Sequence, residues 1–120
     1  MSTPTLTSRQ KACLVAYATQ NKKALEPIIL DLDGVSELTD FFVIASGNTG
    51  IQVRTILQEV ERVCHEEHIP IYHVEGSETG TWVLIDLGDV VVHVFRQPKR
   101  EFYNLEHLWR KAARVALPKL

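Results

Sequence analysis

Three carboxylates raise the question of chemistry first. Asp31 and Asp33 lie two residues apart in the run PIILDLDG, so on a strand both side chains leave the same face. Asp86, in TWVLIDL, could join them from a neighbouring strand, and such a trio can hold the divalent ions used in nucleotidyl transfer. The loop that accompanies that chemistry is out of order here. SGNTG (Ser46 to Gly50) follows the Asp31-x-Asp33 pair instead of preceding it. Asp33-Gly34 also reads as a plain turn. SGNTG could cradle an anion at a helix start, but it lacks the lysine of a phosphate-binding loop. It reads better as a strand-to-helix turn, with Asn48 or Thr49 as the cap.

The five histidines do not make a zinc set. HEEH (His65 to His68) spaces its histidines three apart, so they face differently on a helix, and His65 has no matching second ligand. Cys64 shares a helix face with His68 but belongs to an apolar stripe, which makes it a core residue. His93 is the odd residue in VVVHVF. Across a hairpin, Asp86 lies diagonally from it on the same face. One reading is an acid–imidazole pair on a recognition surface, or a general base; the other is a half-buried histidine satisfied by a neighbour. No serine or cysteine is paired with it, so a catalytic triad has no support. Neither a metal nor a cofactor is expected, and the protein is not expected to be an enzyme.

The elements that must position these residues follow from periodicity. A first helix spans about Thr7 to Asn21, capped by Thr7 or Ser8, with Leu14, Tyr17 and Ala18 on one face. Strands follow near Ile28 to Leu32 and at FFVIAS, Phe41 to Ser46, an unbroken apolar run typical of burial on both faces. Val53, Ile56, Leu57, Val60, Val63 and Cys64 then fall on one side of a second helix, stopped by Pro70 at His68 or Ile69. A third strand covers Ile71 to Glu75. Next come TWVLIDL, Gly88-Asp89 and VVVHVF, a hairpin with a glycine-first type II′ turn. That register sets Leu87 against Val90 and Trp82 against Phe95. One face carries Val83, Ile85, Leu87, Val90, Val92 and Val94; the other carries Trp82, Leu84, Asp86, Val91, His93 and Phe95. A third helix is expected from about Asn104 or Leu105 to Leu117, with Leu105, Leu108, Trp109, Ala112 and Ala116 as its stripe. The order α-β-β-α-β-β-β-α predicts a single-domain α/β sandwich with a mixed, about five-stranded sheet and flanking helices.

At 120 residues, with 45% hydrophobic and 23% charged residues, the chain suits one globular domain, taken as residues 1–120. It buries roughly two thirds of its unfolded surface and needs no disulfide staple. Two cysteines fit a reducing cytosol, and the start MSTPTLTSRQK lacks the apolar core of a secretory signal, with only a faint likeness to a transit peptide. No apolar run spans a membrane. Residues 26–95 carry thirteen acids against Arg54 and Arg62, while both ends are basic. An acidic middle disfavours direct, sequence-specific nucleic-acid binding and suits a basic protein partner.

LTDFFVIASGN (Leu38 to Asn48), Gln52-Val53, Glu75-Gly76, GTWVLIDLGDVVVHVF (Gly80 to Phe95) and REFYNLEHLW (Arg100 to Trp109) together resemble the ribosomal silencing factor, or Iojap-like, family, over about residues 8 to 115. The resemblance implies a fold akin to the nucleotidyltransferases without their catalytic apparatus. It implies a cytoplasmic protein, often a homodimer, that binds large-subunit ribosomal protein number fourteen. Occupying that face of the large subunit would block joining of the small one and repress translation when nutrients are scarce. On this basis Trp82, Leu84, Asp86, Leu87, Gly88, Asp89 and His93 are the expected partner-binding residues. Trp82 and Leu84 would act as apolar anchors, and Asp86 and Asp89 would meet cations. Arg100, Tyr103 and Trp109 are expected to close the third helix onto the sheet. A metal-dependent nucleotidyltransferase and a dimeric scaffold with another partner are the competing classes.

Overall fold

A computed structural model describes residues 6–119. Residues 1–5, the beginning of the MSTPTLTSRQK segment with its faint likeness to a transit peptide, and residue 120 lie outside them. Helix α1 (Ser8–Asn21) is opened by a reciprocal cap: Thr7 Oγ1 accepts from Gln10 N–H at 3.1 Å, and Gln10 Oε1 accepts from Thr7 N–H at 2.9 Å. Its buried face is Ala12, Val15, Ala16, Ala18 and Thr19. Tyr17 is instead exposed and Leu14 half-buried, because small residues let α1 sit close against its neighbour. Helix α2 (Gly50–Glu66) buries all six residues of its expected stripe and is capped by Thr49. It ends sooner than Pro70 alone requires. His68 adopts a left-handed conformation (φ 55°), which lets Ile69 N–H close back onto the Cys64 carbonyl.

The strands are β1 (Leu25–Asp31), β2 (Phe41–Gly47), β3 (His73–Glu75), β4 (Trp82–Asp86), β5 (Val90–Arg96) and β6 (Ala113–Val115). They form one open sheet in the order β3-β4-β5-β2-β1-β6. β2 and β5 run parallel and the other neighbours antiparallel, so the sheet is mixed as expected. The hairpin register also holds: Trp82 opposes Phe95, and Leu87 N–H bonds to the Val90 carbonyl.

The C-terminal third departs from the sequence reading. In place of one helix from about residue 104 to Leu117 there are α3 (Gln97–Tyr103), the single turn α4 (Leu105–Leu108) and β6. Asn104 is the cause of the break. It sits in the left-handed region (φ 49°, ψ 57°) while its side chain caps α4. Beyond Trp109 the chain turns and pairs with the otherwise open edge of β1, through Ile29↔Val115 and Asp31↔Ala113. The sixth strand is therefore an edge cover drawn from residues with helix-like spacing. Leu108 and Ala116, placed on a helical stripe by that spacing, are exposed.

The two faces of the sheet are covered differently. Helices α1 and α2 close the first over Ile29, Val43, Val83, Ile85, Leu87, Val90, Val92 and Val94. The second face holds Leu30, Ile44 and Phe95 beneath Leu105 and Ala112, with Phe42, Trp82 and Trp109 at its margin. Among the described residues two short helices do not span it, and part of that face stays open.

Candidate functional site

The open part is a groove of about 330 Å³, lined by Ser36, Leu38, Thr39, Phe42, Leu84, Asp86, Gly88, Val91, His93 and Trp109. Alternation along three strands builds its floor. Phe42 lies between two residues of the first face, and the same alternation sends Leu84, Val91 and His93 to the second face. The loop before β2 supplies one wall, where Leu38 is 89% exposed, a large apolar side chain left in water. Thr39 Oγ1 donates to the Gly88 carbonyl at 3.1 Å and ties this loop to the hairpin turn. Trp109 stands edge-on to Phe42, ring centres 5.3 Å apart, and forms the other wall.

Four of the expected residues, Leu84, Asp86, Gly88 and His93, meet in this groove. Leu87 does not: its side chain is 1% exposed on the first face, leaving only its backbone at the hairpin tip. The strand period that raises Leu84 and Asp86 toward the groove turns Leu87 away from it. Asp89 is also diverted. Its carboxylate is held by Lys11 of α1 at 2.7 Å, while its carbonyl accepts from Asp40 and Phe41 N–H. Asp86 spends one carboxylate oxygen on the Gly88 N–H at 2.8 Å, which tightens the turn. At Gly88, φ is 88°, and a Cβ there would press on the Tyr72 ring.

Trp82 is half-buried and shapes the site from beside the groove. It stacks on Phe95 with centres 5.0 Å apart and meets Tyr103 of α3 at 4.7 Å. Gly76 lets the backbone approach, since a Cβ there would collide with the Trp82 carbonyl. The indole Nε1–H donates to His93 Nδ1 at 3.2 Å. The acid–imidazole reading of Asp86 with His93 therefore gives way to an indole–imidazole pair. Burial lowers the His93 pKa to about 4, so the ring is neutral at pH 7.

Arg100 holds the groove's far wall in place. It is 4% exposed and donates to Glu106 Oε1 at 2.7 Å, Ser46 Oγ at 2.9 Å and the Leu25 carbonyl at 3.1 Å. These bonds pin α3 and α4 to β1 and β2. Tyr103 and Trp109 ride on the same corner, although the corner is two helical pieces and not one. The carboxylate trio is not assembled, because Asp86 on β4 is separated from β1 by β5 and β2, and Asp31 lies against Arg9 at 3.5 Å. SGNTG is a cap: Gln52 Oε1 accepts from Asn48 N–H and its amide donates to the Lys23 carbonyl. Cys64 is core, its thiol pushed up to about 11 by burial. Among the described residues no helix is long and apolar enough to cross a membrane.

Sequence reasoning centred on the hairpin leaves Leu38, Phe42 and Trp109 out of the site, and it places Val91 on the mixed face without counting it as a contact. Phe42 and Val91 were accessible by alternation from their buried neighbours. Leu38 is an apolar residue stranded in SELTD, which is itself a signal.

The fold and groove define a single mixed α/β domain whose sheet is closed on one face and partly open on the other. The family described as "Ribosomal silencing factor during starvation" matches residues 5–120. A ribosomal silencing factor of Halalkalibacterium halodurans is 47% identical over 104 residues, covering 87% of this chain and 89% of the relative. That of Bacillus subtilis is 42% identical over 99 residues, 82% of this chain and 84% of the relative. A crystal structure of a Chromobacterium violaceum protein superposes with a TM-score of 0.85 at 30% identity, over 96% of this chain and 95% of that one. The chain belongs to the ribosomal silencing factor family, and membership is consistent with ribosome-associated regulation of translation.

Proposed function

We propose that the protein binds the large ribosomal subunit through its ribosomal protein number fourteen and sterically blocks joining of the small subunit. The observation that supports this most is the groove itself. It offers contiguous apolar surface from Leu38, Phe42, Leu84, Val91 and Trp109, with Asp86 as the one charged residue of its lining among the described residues. Exposed apolar surface framed by polar residues is a docking surface by its energetics. A basic ribosomal partner suits the acidic stretch from residue 26 to 95 that supplies most of the groove. Leu38 and Leu84 supply the contact area, and Trp82 braces the floor from its side. The mechanism needs no covalent step; a bound domain 45 Å in its longest dimension excludes a second large body from the same face.

The test is light scattering of separated ribosomal subunits mixed with the purified protein. Joining that falls in proportion to occupancy supports the proposal. Undiminished joining at saturating protein rules it out.

A further inference from the structure

The groove floor contains a polar atom with no partner of its own. His93 is 5% exposed, and its Nε2 has no hydrogen-bond partner within the described residues. Its tautomer follows from its neighbour. Indole Nε1–H is a donor only, so the His93 Nδ1 it meets at 3.2 Å must be an acceptor. The neutral ring then carries its proton on Nε2. This unpaired, buried donor belongs to a residue that lines the groove, beside Phe42, whose ring meets the imidazole edge-on at 4.7 Å.

We infer that His93 Nε2–H is a specificity-determining donor, and that the segment of ribosomal protein number fourteen entering the groove presents a main-chain carbonyl to it beside an apolar side chain. This rests on the partner reading above and adds what the partner must bring. The acceptor is neutral because Asp86 lines the same groove and repels a carboxylate. An apolar side chain alone would fill the groove and leave the donor orphaned, the arrangement a binding site discriminates against most strongly. Trp82 becomes a positioning residue: its N–H fixes which imidazole nitrogen holds the proton.

Long-range proton–nitrogen NMR of the 15N-labelled full chain tests this, before and after adding purified ribosomal protein number fourteen. The expected result is a proton on Nε2 in the free protein, moving downfield in the complex while the amides of Leu84 and Asp86 also shift. A proton on Nδ1 in the free protein overturns the inference. So does an Nε2–H unmoved while the groove amides respond, which leaves the partner reading standing. Groove amides that do not respond at all remove both. In affinity measurements, His93→Phe should bind at least tenfold more weakly, and His93→Gln, which keeps a donor and an acceptor, should recover part of that loss. Equal affinities for the wild type and a folded His93→Phe would contradict the assignment.

Discussion

The two faces of one sheet solve different problems with residues drawn from the same strands. On the first, α1 and α2 seal a surface of aliphatic side chains, and Val83, Ile85, Val90, Val92 and Val94 are each fully buried. On the second, the alternate residues of those strands are Trp82, Leu84, Asp86, Val91, His93 and Phe95, which are larger, more aromatic and part-polar. Two short helices pinned by Arg100 cover only part of them. A face that has only to be buried can be uniform. A face that must be buried in part and open in part needs rings that brace one another, and hydrogen bonds that fix their orientation.

Substitutions that treat the faces alike should separate them. Ile85→Ala, on the sealed face, should cost about 2–5 kcal/mol in denaturant unfolding and leave the affinity of the folded fraction unchanged. Leu84→Ala, its neighbour on β4, should cost much less stability yet weaken ribosome binding about tenfold, since a buried leucine contact contributes about 1.5 kcal/mol or more.

Acid should act on the open face next. His93 has a pKa of about 4 when folded against 6.5 as its ordinary value. Between those values the unfolded chain binds the extra proton, so stability is full above pH 6.5 and falls as the pH drops toward 4. The loss from this ring is on the order of 3 kcal/mol. Glu59, whose pKa the Arg62 hydrogen bond lowers, adds loss in the same direction as it protonates. Stability curves of the wild type and His93→Gln against pH should therefore diverge, the variant keeping only the carboxylate part. Parallel curves would mean that His93 is not buried as described.

Arg100→Met should cost roughly 2 kcal/mol, because it leaves the buried Ser46 hydroxyl and Leu25 carbonyl without their donor. Binding should fall further than stability, since the Trp109 wall moves with α4. The smallest effect belongs to Lys11→Met, which frees Asp89. The pair is part-exposed, so the change should stay below about 1 kcal/mol. Unchanged affinity in Asp89→Asn would support placing that carboxylate outside the contact.

The legibility of these faces in the sequence was unequal, for physical reasons. The sealed face follows from period alone: six residues of α2 and six of the hairpin fall where counting puts them. The open face is set by contacts between segments far apart in the chain. Trp109 reaches Phe42 across 67 positions of sequence, and Arg100 reaches Ser46 across 54. Local spacing also misleads where tertiary pairing overrides it. Ala113–Val115 has helical neighbours in its pattern, yet β1 offers it an open edge, and Asn104 breaks the helix that would compete. Leu87 and Asp89 show the limit within the hairpin. With the register as counted, Leu87 belongs to the core by parity, but the carboxylate of Asp89 is claimed by a lysine 78 positions away.

Leu38→Ser offers the most direct test of the groove as the docking surface. At 89% exposure this side chain has almost no packing to lose, so folding cannot confound the result. Co-sedimentation with the large ribosomal subunit should show affinity reduced about tenfold with an unchanged thermal midpoint. Wild-type affinity in that variant would contradict the account.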